Sequence, residues 1–274
     1  MTTPTLIRQL TEQARQRDEQ ALGWLQSGAP SPQAVHDIRV IIKQQRASWQ
    51  LLRPWLCRDD HRTIDRALGQ GAKALATARD QHVMAQTLDN LARKTLKHRR
   101  QELKQAHRHL LADSPPPEPP GVDTTRQALH DDLQQWQRLN LVVSDHELLA
   151  TGLARTYKQC RNRTIKALGS HQAEPWHDLR KWVKYLLYQQ QDLSAGGIPA
   201  ITDHTSLEKL GNKLGKLHDL EVLRQFLQHH PDRKTAKPAL QAIAEREQQL
   251  LKKCQRKSQA LFHAPTRKWI RAVL

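Results

Sequence analysis

Cysteine is scarce. The 274 residues contain three, Cys57, Cys160 and Cys254, far apart and odd in number. No Cys-x-x-Cys occurs, which argues against both a disulfide framework and a thiolate zinc site. Aromatic residues make up 4% of the chain, and most tryptophans sit in apolar stripes, so a row of stacking platforms for single-stranded nucleic acid is not expected. β-branched runs and strand-like alternation are almost missing; Leu141-Val142-Val143 is a short hint of a strand. No apolar stretch approaches the ~20 residues of a membrane-spanning helix. The N-terminal MTTPTLIRQLTEQARQRDEQ lacks the apolar run of a signal peptide. These absences lead to the expectation of a protein in a reducing cytoplasm, with no membrane partner.

What is present is positive charge. There are 44 Lys and Arg against 27 Asp and Glu, a formal net charge of +17. Such an excess opposes a compact state by self-repulsion and concentrates anions around the chain. It is not confined to a tail: residues 1–112 carry a net +9 and residues 113–274 a net +8. The partner classes are nucleic acid, an anionic membrane surface or another polyanion, and charge alone does not choose among them.

Helix formers dominate, so the chain is expected to be all-α. The strongest break is Ser114-Pro115-Pro116-Pro117-Glu118-Pro119-Pro120-Gly121, which cannot continue a helix and favours extended backbone. It reads as a linker over 113–122 between an N-terminal half, 1–112, and a C-terminal half, 123–274. Weaker breaks then place helices at about 4–26, 32–56, 60–88 and 90–111, and at about 123–139, 145–168, 175–193, 203–229 and 236–262. Such lengths suit helical bundles with antiparallel neighbours.

The halves share motifs. Val35-His36-Asp37-Ile38-Arg39 matches Trp176-His177-Asp178-Leu179-Arg180, and Ala78-Arg79-Asp80-Gln81-His82-Val83 matches Leu217-His218-Asp219-Leu220-Glu221-Val222 at nearly the same offset. Two matches in the same order point to an internal duplication.

On a helical wheel the first motif helix puts Ile38, Ile41, Ile42, Trp49 and Leu52 on an apolar side. His36, Arg39, Lys43, Arg46 and Arg53 form a basic stripe that also holds Gln50. The second puts Leu179, Trp182, Val183 and Leu186 on one side and His177, Arg180, Lys184 and Tyr188 on another, with Lys181 at the edge. A solvated helix face usually mixes charge signs, because like charges three or four residues apart are destabilising. A cation-only stripe, present twice, is easier to explain if an anion completes it. Asp37 and Asp178 have a simpler reading, as first-turn carboxylates that favour the helix dipole. Ser31-Pro32 forms an N-cap and first-position pair. Further cations follow: Lys73 and Arg79 after the first basic helix; Lys213, Lys216 and His218 on its counterpart; Lys158 and Arg161, with Tyr157, on the helix that opens the second half. Gly211 and Gly215, matching Ala72 and Ala76, are small residues that let a neighbouring helix approach.

These motifs resemble the CHAD domain, the conserved histidine α-helical domain. His36 through Arg46 fits its first His-Asp-hydrophobic-Arg motif, and His177 through Tyr188 fits its second closely. Gly152 through Arg161 is similar to the helix that precedes the second motif. The resemblance implies two antiparallel four-helix bundles related by pseudo-two-fold symmetry, with a basic central cavity that binds inorganic polyphosphate, in some members at polyphosphate granules. It implicates His36, Arg39, Lys43, Arg46, Lys73, Arg79, Tyr157, Arg161, His177, Arg180, Lys184 and His218. Lys158, Lys181, Lys213 and Lys216 are added as cations on the same segments. Gln44-Gln45 departs from the family's pattern, where a further basic residue is common, and His218 stands where Arg is more usual. Many members also carry a triphosphate-tunnel domain marked by Glu-x-Glu-x-Lys; that motif is not in this sequence.

The expected activity is binding, without catalysis, cofactor or metal. Phosphate oxygens would be held by Arg forks and Lys point charges, and the histidines would add charge near pH 6–7. Two rivals use the same residues: a nucleic-acid binder, and a metal-dependent phosphohydrolase built on His36-Asp37, His177-Asp178 and His218-Asp219. In each pair the Asp lies about 100° from its His on the wheel, and cations share the His face, which opposes metal binding.

Overall fold

Ser31 and Pro32 start the first basic helix as expected. The Ser31 hydroxyl accepts from the Ala34 N–H at 3.1 Å, and Pro32 occupies a position where no N–H is needed. The structure, a computed structural model, describes residues 5–26, 30–75, 77–94, 101, 103, 121–170, 172–200, 202–229, 233–271 and 274, with side chains except at 77–82, 94, 233 and 235. The Pro-rich stretch expected within 113–122 lies outside the described residues as far as Pro120.

The order is α1 (Leu6–Gln26), α2 (Pro32–Leu52), a 3₁₀ turn (Arg53–Trp55), α3 (Arg58–Ala74), α4 (Thr77–Lys94), α5 (Val122–Arg138), a single turn (Asp145–Glu147) running through a π-helical segment (Leu148–Leu153) into α6 (Ala154–Leu168), α7 (Ala173–Ala195), α8 (His204–Gln228), α9 (Arg233–Phe262) and α10 (Thr266–Ile270). The chain is all-α: among the described residues there is no strand. Val142, in the Leu141–Val143 segment, is instead 95% exposed in a loop. No helix of the described residues is long and apolar enough to cross a membrane.

One expected helix, 60–88, is two. The break falls after Ala74, whose carbonyl accepts the Gly121 N–H at 2.9 Å. Beside it the Thr125 hydroxyl donates to the Gly71 carbonyl at 3.0 Å. A Cβ on Gly71 would lie 3.1 Å from that of Ala128, so the bare backbone is what lets α5 lie against α3. This capping comes from residues some fifty positions away, and no local signal announces it. Gly152 has a similar role: a Cβ there would meet the Leu51 carbonyl at 2.5 Å, so the π segment can pass close to α2.

The packing forms two cycles. α1 packs on α2, α2 on α3, α3 on α5, and α5 on α1; α6 packs on α7, α7 on α8, α8 on α9, and α9 on α6. α5 therefore joins the helices of the first half, although it follows the Pro-rich stretch. Trp136 of α5 stacks on Trp49 of α2 at 3.9 Å, and both indole N–H groups donate to the Asp132 carboxylate, at 2.7 and 3.1 Å. In the second cycle Tyr157 stacks on Trp269 at 4.0 Å, with Phe262 against its edge.

α2 and α7 pack on each other and join the cycles through polar contacts. Gln189 donates to the Ala47 carbonyl at 2.7 Å, and the Ser48 hydroxyl donates to Asp192, which also takes the Arg17 guanidinium of α1. Such buried groups are satisfied only in one register, so they specify how α2 and α7 cross. Gln45 belongs to this set. It is fully buried and donates to the Ala14 carbonyl at 2.9 Å. A cation at position 45 would face the core, so Gln45 itself removes nothing from a binding surface, whereas Gln44 is half-buried.

Candidate polyanion site

α4 reaches across to α8 and α9, and a cleft of about 520 Å³ opens between these helices, α2 and α7. Among the described residues five cations line it, from four helices: Arg39 and Lys43 of α2, Arg180 of α7, Lys216 of α8 and Arg246 of α9. His218 joins them. Asp219 is the acidic side chain among the lining residues. α4 supplies a neutral wall, including Met84, Thr87, Asn90 and Leu91. An excess of positive charge in a concave, partly desolvated space strengthens attraction for an anion, because fewer water dipoles screen it.

Cations of α7 lie across the two glycines of α8. A Cβ on Gly211 would be 3.5 Å from the Lys184 stem, and one on Gly215 would be 3.8 Å from Arg180 Nε, both ordinary van der Waals distances. In the first half, the Arg39 guanidinium donates to the Ala72 carbonyl of α3, which orients it at the cleft.

At the cleft margin the two imidazoles of the second half meet. His177 Nδ1 and His218 Nδ1 are 3.1 Å apart, and the ring centroids 4.5 Å apart. Burial, then Arg180, then His177 push His218 down to about 4. Burial and then Arg180 also lower His177. Both imidazoles are therefore harder to charge than an ordinary histidine.

The other expected residues divide. Arg46 lies on the stripe but is taken: its guanidinium forks onto Asp65 of α3 at 2.8 and 3.0 Å. Although burial alone would raise Asp65, these Arg46 bonds hold its carboxyl below the usual range. The stripe is thus not uncompensated along its length. Lys181 belongs to this Arg46–Asp65 group, with its Nζ 5.7 Å from the Tyr185 ring. Tyr157 is a core residue, fully buried, whose hydroxyl donates to the Ala264 carbonyl at 3.1 Å. Lys73 and Lys158 are exposed and Arg161 is half-buried; with His36, Lys184 and Lys213, they do not line the cleft. Arg79 lies in α4, but its side chain is outside the described residues.

The Asp residues of the two motifs are displaced from their expected place. α2 and α7 begin earlier than the motifs, so Asp37 and Asp178 fall in the second turn. Asp37 accepts from Gln33, and Asp178 pairs with Arg163 of α6 at 2.8 Å. Arg163 also lies over the Trp182 ring at 4.5 Å. Arg246 had no signal in the sequence: it lies in no repeated motif, and only the folding of α9 onto α8 brings it to the cleft.

The CHAD domain family model matches residues 6–228. The chain belongs to the CHAD family. No curated protein sequence matches it. Among solved structures it is similar to the crystal structure of the CHAD domain from the plant Ricinus communis, at 17% identity and a TM-score of 0.55, over 99% of this chain and 93% of that one. At this identity the likeness speaks for the CHAD fold alone. The family match stops at residue 228, so α9 of this CHAD protein, with Arg246, lies beyond it.

Proposed function

We propose that the cleft binds inorganic polyphosphate and that the protein is a binding protein, not a catalyst. The observation that carries this reading is the gathering of Arg39, Lys43, Arg180, Lys216 and Arg246 from four helices around one space, with one carboxylate, Asp219, among the described lining residues. The CHAD membership supports it. Polyphosphate has charge on every unit and no bases to read, so a site made of cations and a neutral wall, without aromatic platforms, suits it. In this reading the cycle of α1, α2, α3 and α5 and the cycle of α6, α7, α8 and α9 are the two bundles of one CHAD unit, related by pseudo-two-fold symmetry. Arg39 and Arg180 are then equivalent residues facing a shared cavity. The protein would work in the cytoplasm, at polyphosphate granules where these form.

The test is binding of polyphosphate at several salt concentrations, in competition with duplex DNA. The expected result is affinity that falls steeply with salt, through counterion release, and no displacement by DNA at equal phosphate concentration. Displacement by DNA at that concentration would overturn the assignment in favour of a nucleic-acid binder.

A further inference from the structure

The cleft does not end the run of positive charge. Lys216 lines it from α8 and Leu250 from α9. The two helices pack on each other: one turn before Lys216, α8 carries Lys213, and one and two turns after Leu250, α9 carries Lys253 and Lys257, whose charges Lys213 feels. Lys213 and Lys257 are half-buried and Lys253 is exposed. From Lys209 to His218 α8 has no Asp or Glu, and from Gln248 to Leu274 the chain has none either. Like charges at Lys253 and Lys257, four residues apart on one helix, repel. Here the charge of a third lysine, on the neighbouring helix, adds to theirs. Burial first, then Lys257 and Lys253, hold Lys213 below the usual lysine value, and Lys216 adds to this from the cleft side.

Resting on the polyphosphate reading, we infer that Lys213, Lys253 and Lys257 form an outer anion track along α8 and α9, continuous with the cleft through Lys216, that engages phosphates of a long chain extending out of it. From Arg246 to Lys257 the track follows α9 for about 16 Å at ~1.5 Å per residue. A short oligophosphate fits the cleft and leaves the lysines to solvent. A long one covers both, and each phosphate neutralised on the track releases further counterions. Lys253 and Lys257 lie on α9, outside the residues matched by the CHAD model.

The experiment compares tripolyphosphate with long-chain polyphosphate on the full chain, wild type and Lys253→Gln/Lys257→Gln. Glutamine keeps helix propensity, and circular dichroism and Tm check that the variant is folded. The expected result is that long-chain affinity falls about tenfold and its salt slope becomes shallower by roughly one to two, while tripolyphosphate affinity stays unchanged. Unchanged long-chain binding, or an equal loss for both ligands, would overturn the track. If wild type binds neither ligand, the cleft assignment itself fails, and the track with it.

Discussion

His177 on α7 and His218 on α8 face each other Nδ1 to Nδ1 at 3.1 Å, so at most one of the two nitrogens carries a proton while the contact holds. Arg180 and Lys181 face the pair from α7 and oppose its charging. Asp178 of α7 and Glu221 of α8 favour it, but do not outweigh burial and the cations.

A bound polyanion favours charged imidazoles, so binding takes up protons and affinity rises as pH falls. The gain runs from the higher imidazole value of the complex down to that of the unliganded protein, about 4 for His218. Polyphosphate affinity measured from roughly pH 8 to 5 should therefore keep rising below pH 6, and the rise should flatten in His218→Gln. A plateau below pH 6 in wild type would contradict this.

Arg39 and Arg46 lie on one stripe of α2 but differ in role. Reversing Arg39 and Arg180 to Glu should weaken polyphosphate binding at least about a hundredfold, since each charge-assisted contact is worth roughly 1.5–3 kcal/mol. Arg46→Gln should leave binding nearly unchanged. It strands the partly buried Asp65 carboxylate and should cost about 1–3 kcal/mol of stability. Denaturant unfolding and a binding titration on the same samples separate the two effects.

Tyr157→Phe removes the hydroxyl that donates to Ala264 but keeps the ring stacked on Trp269. The expected loss is about 1 kcal/mol of unfolding free energy, with polyphosphate affinity unchanged. A binding defect without a stability change would return Tyr157 to the site.

Asp18 and Asp132 are buried together beneath Trp49 and Trp136. Burial and the neighbouring Asp132 push Asp18 far above the usual carboxylate value, and burial raises Asp132 as well. A carboxyl whose folded value is raised keeps its proton, so stability is greatest below the unfolded value near 4 and declines as pH rises through the raised value. The slope is up to about 1.4 kcal/mol per pH unit for one retained proton. Asp18→Asn removes that titration. Between pH 6 and 9 the Tm of wild type should fall, and that of the variant should fall distinctly less.

The cations were easier to find than to sort. The stripe of Arg39, Lys43 and Arg46 is legible in the sequence because helical periodicity gives each residue an angle about its own axis. The Arg46–Asp65 fork is not, since it depends on where α3 lies against α2. Tyr157 shares a helix with exposed Lys158, but what covers it, Trp269 and Phe262, comes from more than a hundred residues away. The helix break after Ala74 has no local signal for the same reason: its cap is the N–H of Gly121.

The helical class, the start of α2 at Ser31-Pro32, the apolar faces around Ile38 and Leu179, the two His-Asp motifs and the excess of positive charge are all legible in the amino-acid order. Each of these follows from composition or from spacing within about one helix, where rise and twist are constant. Which cations share a space is a matter of how the helices pack. That packing brings Arg39, Arg180 and Lys216 together with Arg246, gives Arg46 to Asp65, buries Tyr157, and turns His177 and His218 toward each other. Those outcomes depend on the crossing of helices through buried polar contacts such as Gln189 with Ala47 and Ser48 with Asp192, and a crossing is set by packing between distant segments, which no single helix's periodicity contains.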